Sequence, residues 1–160
     1  MRVALLLLPA LLLSGCASTQ VAQPARQKTD RQLDLAIDGD GFFIVQTSAG
    51  GFLFTRNGEM SVASTGEIVN NDGYRLYPPV QIPPETNNII VTPDGVVRTQ
   101  HAGQPPEVAG QIVLSRFGHP EKLDRDGMYR LPTDTSGDPV TAKPGLKGLG
   151  TLITGALEQQ

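Results

Sequence analysis

The sequence contains no tryptophan, one cysteine and two histidines, and each scarcity excludes a kind of structure or site. A single cysteine forms no intramolecular disulfide and cannot build a cysteine-rich zinc site. His101 and His119 have no further histidine at ligand spacing, so neither a zinc site nor a catalytic histidine is expected. With five Phe and three Tyr in 160 residues, the core is expected to be mainly aliphatic.

Clustered positive charge is also missing. The formal net charge is −3, and no basic cluster follows Arg2. A nucleic-acid-binding surface needs a positive patch to neutralise phosphates, so no nucleic-acid partner is expected. The sequence has no G-x-S-x-G, H-E-x-x-H or phosphate-loop motif. Gly39 and Gly41 form G-x-G without the third glycine of a dinucleotide site.

A calcium loop is the one metal site that the acidic residues suggest. An EF-hand loop has a glycine at its sixth position and a glutamate at its twelfth. When Gly41 or Gly127 takes the sixth position, the twelfth position holds a threonine. We therefore expect no metal and no cofactor. Turn formation accounts for the paired aspartates, which are Asp38, Asp40, Asp124 and Asp126.

The first sixteen residues have the pattern of an exported protein. One positive charge at Arg2 precedes an eleven-residue apolar stretch, residues 3–13. This stretch is too short to span a bilayer as a helix and suits a secretory h-region. It ends in Leu-Ser-Gly-Cys16, which resembles the lipobox of bacterial lipoproteins. The resemblance implies lipidation of the Cys16 sulfur and cleavage before it, and the alternative is an ordinary signal peptide with a chance cysteine.

The residue after Cys16 bears on the membrane address. Ala17 stands where an aspartate would be the usual signal for retention in the inner membrane. The lipobox resemblance therefore implies the periplasmic face of the outer membrane. Residues 17–32 show no apolar periodicity and predict a flexible tether, roughly 50 Å long at full extension. The predicted division is a signal peptide (1–15), a lipidated cysteine with its tether (16–32), a β domain (33–158) and a tail (159–160).

The mature chain is organised around residues 33–46, LDLAIDGDGFFIVQ. Apolar residues alternate with others over residues 33–37, which predicts a half-buried strand. The Asp-Gly-Asp-Gly that follows predicts a turn or bulge. Residues 42–46 are apolar on both faces, which predicts a central strand. Phe42 and Phe43 should then lie on opposite faces of that strand.

Short apolar runs between Gly- and Pro-rich turns predict further strands. Asn57-Gly58 predicts a tight hairpin between the strands predicted at 52–54 and 59–62. Residues 77–84 are predicted as an extended loop or edge, 120–123 as one helical turn, 132–148 as a loop and 149–157 as a hairpin-like or extended piece. The fold class is mainly β, an irregular multi-hairpin domain. The predicted strands are 42–46, 52–54, 59–62, 67–69, 74–76, 88–91, 96–99, 110–117 and 128–131.

In both residues and spacing, the chain resembles the flagellar rod and hook family, the axial proteins of the bacterial flagellum. The resemblance runs from about residue 33 to residue 158, through LDLAIDGDGFFIV, FTRNG, GEIVN, GYRL, IIVTPDGVV, GQIVLSRFGHP and PGLKGLGTLITGALE. The residues that carry it are Leu33, Asp34, Ala36, Ile37, Gly39, Gly41, Phe42, Phe43, Val45, Thr55, Arg56, Gly58, Gly66, Gly73, Tyr74, Leu76, Asp94, Gly95, Gly110, Gln111, Phe117, Pro120, Gly145, Gly148, Leu149 and Gly150.

That family polymerises through coiled-coil helices at both termini, and this sequence shows no pattern for such helices. No amphipathic heptads precede residue 33, and the sequence stops at Gln160, where the family would run into its C-terminal helix. The chain is therefore not expected to polymerise by itself.

The resemblance implies a non-enzymatic outer-membrane lipoprotein at the flagellar basal body, with rod, hook or ring proteins as partners. One alternative is an envelope binding module, for a protein or glycan, that has been recruited from the flagellar family. An envelope hydrolase would need convergent titratable groups in a cleft, and carboxylate pairs occur only in predicted turns.

Overall fold

A computed structural model describes residues 25–159, and those residues form sixteen strands, one 3-10 turn and no α-helix. The signal peptide, the lipobox with Cys16 and residues 17–24 lie outside the described residues. Within residues 25–159, no helix is long and apolar enough to cross a membrane. The strands are β1 (Arg26–Lys28), β2 (Leu35–Asp38), β3 (Phe42–Gln46), β4 (Phe52–Thr55), β5 (Met60–Val62), β6 (Ile68–Asn70), β7 (Arg75–Leu76), β8 (Asn88–Val91), β9 (Val96–Gln100), β10 (Glu107–Gln111), β11 (Leu114–Arg116), β12 (Asp124–Asp126), β13 (Tyr129–Leu131), β14 (Val140–Ala142), β15 (Thr151–Thr154) and β16 (Ala156–Glu158).

Strand β3 is the centre of the largest sheet. It pairs with β4 along one edge, and it pairs with β11 and then β7 along the other edge. The sheet continues through β4 to β13 and β12, and through β7 to β6 and β5. Because both edges of β3 are paired, the prediction of a central strand at residues 42–46 is confirmed.

The two faces of β3 bury different side chains. Phe43 is fully buried in the main core, which is otherwise almost entirely aliphatic. Phe42 lies on the other face, against a small cluster that contains Phe54, Phe117, Ile44 and Leu123. The main core is mainly aliphatic, as the sequence predicts. The two phenylalanines lie on opposite faces of β3, which was also predicted. The fully buried members of the main core include Leu35, Ile37, Met60, Ile68, Leu76, Val80, Val97, Ile112 and Leu114.

Three smaller sheets complete the domain. Strands β8, β9 and β10 form an antiparallel sheet whose first hairpin turns at Asp94-Gly95, between the strands predicted at 88–91 and 96–99. Strand β15 pairs with β2, and β1 pairs with β16. The fold is thus mainly β and irregular, which confirms the predicted class. The predicted helical turn appears as a 3-10 turn at Pro120–Lys122.

The hairpin predicted at Asn57-Gly58 is wrong. Strand β4 pairs with β3 and β13, while β5 pairs with β6, so the strands on either side of the dipeptide do not pair with each other. A β-carbon on Gly58 would stand 1.8 Å from the carbonyl oxygen of Leu35. The Gly58 carbonyl also accepts a hydrogen bond from the Leu35 N–H at 3.0 Å. The glycine therefore allows two backbones to approach closely, and it does not form a hairpin turn.

The prediction of one strand over residues 110–117 is also wrong. The chain leaves β10 at Gln111, and the Ile112 N–H donates to the Gly95 carbonyl at 2.7 Å before β11 begins in a different sheet. The predicted loop at 132–148 contains strand β14, which pairs with β11. Strand β12 was not predicted, because its three residues are all exposed. The closing piece forms β15 and β16, which pair with β2 and β1 and not with each other.

The predicted boundary between tether and domain needs correction. Strand β1 falls inside the predicted tether, yet it pairs with β16 in register from Arg26 to Lys28. The ladder is extended by the Gln159 N–H donating to Ala25 and the Thr29 N–H donating to Gly155, both at 2.8 Å. Backbone pairing needs no apolar side chains, which explains why composition did not reveal this strand.

Candidate interaction site

Three separated motif stretches meet at the Asp-Gly-Asp-Gly turn between β2 and β3. Gly39 and Gly41 adopt φ angles of 115° and 129°, which side chains with a β-carbon rarely adopt. A β-carbon on Gly39 would approach the Cα of Gly150 to 2.9 Å, so the closing segment lies directly on the turn. We call the cluster of Gly39, Gly41, Arg56, Gly150 and Glu158 the motif junction.

Arg56 holds the motif junction together with all five of its N–H groups. Its Nε and Nη2 donate to the two Glu158 carboxylate oxygens at 2.9 and 2.6 Å. Nη1 donates to the carbonyls of Gly39 and Gly41, both at 2.8 Å, and Nη2 also reaches the Ile37 carbonyl at 3.2 Å. The bidentate pair is largely buried, because the side chains of Arg56 and Glu158 are only 22% and 4% exposed. The arrangement is therefore a clamp that joins β2, the turn and β16.

A second set of motif residues meets where the β8–β9 hairpin contacts the end of β10. The Gln111 side-chain amide donates to the carbonyls of Asp94 and Ile112, both at 2.8 Å. Gly95 adopts a φ of 83°, and a β-carbon there would lie 2.6 Å from the Ile112 oxygen. Gly110 lies against Val80, since a β-carbon on Gly110 would stand 2.9 Å from the nearest Val80 methyl group. These motif residues fix the position of the smaller sheet.

The remaining motif residues are distributed between the core and the turns. Asp34 is a nearly buried carboxylate whose Oδ1 lies 3.5 Å from Nη1 of Arg31. The Thr55 hydroxyl is buried and donates to the Met128 carbonyl at 2.9 Å. Tyr74 contacts the ring of Tyr129, with 5.8 Å between the centroids. The motif residues in the core are Leu33, Ala36, Ile37, Phe43, Val45, Leu76, Leu149 and Phe117, and the further motif glycines with positive φ are Gly66, Gly73, Gly145 and Gly148.

A recess of about 290 Å³ lies beside the motif junction. Its lining includes Gly41, Phe42, Arg56, Phe117 and Pro120, motif residues that are far apart in the sequence. The other lining residues are Asp40, Arg116 and Gly118. Arg56 lines the recess and brings its positive charge there. It offers a ligand no free hydrogen-bond donor, because each of its N–H groups already donates within the domain.

A buried polar link on the other side of the sheet is not predicted by any pattern in the sequence. The Asn70 amide donates to the Tyr129 hydroxyl at 2.7 Å, and that hydroxyl donates to the Asp72 carboxylate. Burial raises the pKa of Tyr129 above its usual value, and the hydrogen bond to Asp72 raises it further. The neutral phenol therefore ties β13 to the turn after β6. Only the Asn-Asn-Asp-Gly turn sequence could have indicated one end of this link.

Within residues 25–159, no group of three His, Cys, Asp or Glu side chains is placed to hold a metal ion. Arg56 and Glu158, the strongest charges at the motif junction, are used in contacts within the domain. Cys16, the predicted lipidation site, lies outside the described residues.

Comparison with known proteins agrees with the motif resemblance. Residues 36–99 match the family described as the flagellar hook protein FlgE/F/G D1 domain. The chain is 37% identical over 134 residues to the flagellar basal-body rod protein FlgG of Buchnera aphidicola subsp. Schizaphis graminum, a match that covers 82% of this chain and 51% of that protein.

Two further relatives carry the same name. The chain is 37% identical over 128 residues to FlgG of Caulobacter vibrioides, covering 78% of this chain and 48% of the relative. It is 34% identical over 151 residues to FlgG of Bacillus subtilis, covering 91% and 57% respectively. The chain spans about half the length of the curated relatives it matches. The family match and these relatives show that the chain's β domain is similar to flagellar hook and rod proteins.

Proposed function

We propose that this chain is a non-enzymatic lipoprotein of the outer membrane, and that its β domain docks onto the flagellar basal body as a structural or accessory component. The observation that carries the proposal is the similarity of about four fifths of the chain to basal-body rod proteins. The motif junction supports it, because the motif residues of the resemblance form the contacts that hold the domain together.

The corrected domain boundary sets how far such an anchor reaches. Eight residues, and so nine Cα-to-Cα steps, separate Cys16 from Ala25, which pairs with the end of β16. A fully extended chain covers at most about 3.3–3.6 Å per residue, so the limit is roughly 30 Å. Lipid chains on Cys16 would give stable membrane attachment, since two or more acyl chains suffice. The domain would then act within a thin layer at the membrane, where a high effective concentration favours weak contacts.

The sheet edges support docking with a partner in preference to open-ended polymerisation of this chain. Strand β5 is three residues long, and β12 consists of three exposed charged residues. The ladder between β10 and β9 is interrupted by a bulge at Val108–Gly110. Short, charged and bulged edges discourage strand addition between copies.

Two experiments test this proposal. Metabolic labelling with a fatty-acid analogue should label the wild type and not Cys16→Ser, and the variant should leave the membrane fraction. Label retained by the variant contradicts lipidation at Cys16. Affinity capture from detergent-solubilised envelopes should enrich rod, hook or ring proteins with the wild type. Recovery of other envelope proteins or of glycan, without flagellar proteins, would favour the recruited envelope binding module instead.

A further inference from the structure

One face of the large sheet carries an unusual row of side chains. We call it the outer face: the side of β12, β13, β4, β3 and β7 that lies opposite the aliphatic core. Residues paired directly across antiparallel strands point to the same side. The register therefore aligns Arg125 with Arg130, Arg130 with Phe54, and Phe54 with Ile44. Tyr77 completes the row, because its N–H donates to the Ile44 carbonyl at 2.9 Å.

Aromatic side chains are concentrated on the outer face. Three of the five phenylalanines of the chain, Phe42, Phe52 and Phe54, lie on it and Phe117 packs against it, whereas the main core holds only Phe43. At one end, Phe52 and Tyr77 remain 43% and 39% exposed, and their rings meet edge to face with centroids 4.7 Å apart. The other end is covered by Phe117, which contacts Phe42 and Phe54. The exposed pair offers apolar area that no residue in the described range covers.

Positive charge without a partner adjoins these aromatics. Arg125 and Arg130 stand directly opposite each other, and within residues 25–159 neither forms an ion pair. Arg130 donates only to main-chain carbonyls of Gly127 and Tyr129, at 3.3 and 2.8 Å. Like charges directly opposite each other destabilise a sheet. Burial lowers the pKa of Arg130, and the nearby charge of Arg125 lowers it further.

Acidic groups near the outer face do not neutralise this pair. Glu67 is engaged by Arg75 at 3.2 Å, at the end where Tyr77 lies. Asp40 lies in the recess at the Phe42 end and forms no ion pair among residues 25–159. Asp124 and Asp126 flank Arg125 on β12, but they pair across the ladder with Leu131 and Tyr129 and so point to the opposite side of the sheet. Among residues 25–159, no carboxylate forms an ion pair with Arg125 or Arg130.

We infer that the outer face is a docking surface for an extended acidic segment of a partner protein. Carboxylates of that segment pair with Arg125 and Arg130, and its apolar side chains cover Phe52 and Tyr77. Arginine and aromatic residues dominate the energetics of protein interfaces, and both are concentrated here. Adjacent strands are about 4.8 Å apart, so Arg125 and Tyr77 at the two ends of the row are separated by roughly 19 Å, the length of about six extended residues. Phe54 and Ile44 between them are buried against Phe117 and Leu123, so the segment contacts the two exposed ends of the row.

The chemistry favours a polypeptide over a membrane or nucleic acid. Arg125 and Arg130 are two cations at one end of the row, whereas binding to a lipid surface or to phosphates relies on several clustered basic residues. A peptide can offer acids and apolar groups at a spacing that matches this row. The inference rests on the proposed function only for the identity of the partner, which would be a basal-body protein.

The test uses the full chain, purified in a non-ionic detergent, and a fluorescein-labelled peptide with two glutamates followed, about four residues later, by two leucines. Fluorescence anisotropy should show saturable binding by the wild type. The double variant Arg125→Glu, Arg130→Glu should weaken binding roughly tenfold or more. Arg98→Glu is the matched control, because Arg98 is exposed on β9, away from the outer face, and it should bind like the wild type.

The milder variant Arg125→Gln changes one exposed residue and tests the same charge if the double variant does not fold. It should weaken binding several-fold while leaving the circular dichroism spectrum unchanged. The inference is overturned if the wild type does not bind the peptide, if all variants bind it equally, or if the wild type binds phosphatidylglycerol vesicles and not the peptide. Peptide binding that depends on Arg125, together with no flagellar proteins in the affinity capture, would contradict the proposed function and support this surface.

Discussion

Replacing Arg56 by methionine should destabilise the domain by about 3–5 kcal/mol, because it leaves the Glu158 carboxylate buried without a cation. The Glu158 side chain is only 4% exposed, so water cannot replace the guanidinium fully. The remaining hydrogen bond, from the Ile37 N–H to Glu158 at 3.1 Å, does not neutralise the charge.

The three carbonyls that Arg56 serves add less to this figure. Gly39 is exposed at the turn, and water can satisfy its carbonyl once the arginine is gone. The cost is therefore dominated by the unpaired carboxylate. It follows that a second substitution, Glu158→Met, should make the double variant more stable than Arg56→Met alone, because it removes the buried charge.

Urea unfolding of a fragment that starts at Ala25 would measure these differences. With no tryptophan in the chain, far-ultraviolet circular dichroism and tyrosine fluorescence are suitable probes. The slope with urea should stay constant, so that a shifted midpoint reports stability. Arg75→Met is the control, since Arg75 pairs with Glu67 at 3.2 Å while its side chain is half exposed, and such pairs contribute about 0–1 kcal/mol. A loss below about 1 kcal/mol for Arg56→Met, or a double variant weaker than the single one, would refute the reasoning.

Three further predictions use the same unfolding assay. Gly58→Ala should cost at least about 3 kcal/mol or prevent folding, because the added β-carbon would overlap the backbone of β2. The control Gly118→Ala has open space and should change the midpoint little, and similar midpoints for the two variants would contradict the assigned role of Gly58. Phe43→Ala should cost about 3–5 kcal/mol and the half-buried Phe42→Ala clearly less, and the reverse order would show that the two faces of β3 are misassigned. Removing residues 25–31 should lower the midpoint by unpairing β16, and an unchanged midpoint would mean that β1 adds no stability.

Local patterns in the sequence were sufficient for the strands whose stability depends on their own side chains. Residues 42–46 are apolar on both faces, and the structure places β3 between β4 on one edge and β7 and β11 on the other. The β8–β9 hairpin was predicted from two apolar runs around Asp94-Gly95, a turn that the Thr92 hydroxyl supports by donating to Asp94 at 2.5 Å. In both cases, residues close in sequence supply the burial or the turn.

Pairing between distant strands could not be predicted in this way. Asn57-Gly58 has the composition of a tight turn, but the position of Gly58 is decided by the Leu35 carbonyl of β2. In the same way, Arg56 was identified by the family resemblance, while its partner Glu158 lies 102 residues later. The pairing of Arg125 with Arg130 became visible only when the register of β12 and β13 was known.

Strand β1 lies within the predicted tether, and composition did not reveal it. Its position also changes the reach of the proposed anchor. Its residues Arg-Gln-Lys are polar, and only one is even partly buried, so no apolar signal was available. What holds it is the backbone ladder to β16 and the contact of Arg26 with Asp38 at 2.6 Å. Because this strand belongs to the paired structure, the proposed anchor, counted from Cys16 to Ala25, would reach at most roughly 30 Å and not roughly 50 Å. Since the Arg56–Glu158 clamp fixes β16, a pull on the proposed lipid anchor would be transmitted through β1 to the motif junction, where five Arg56 hydrogen bonds resist it.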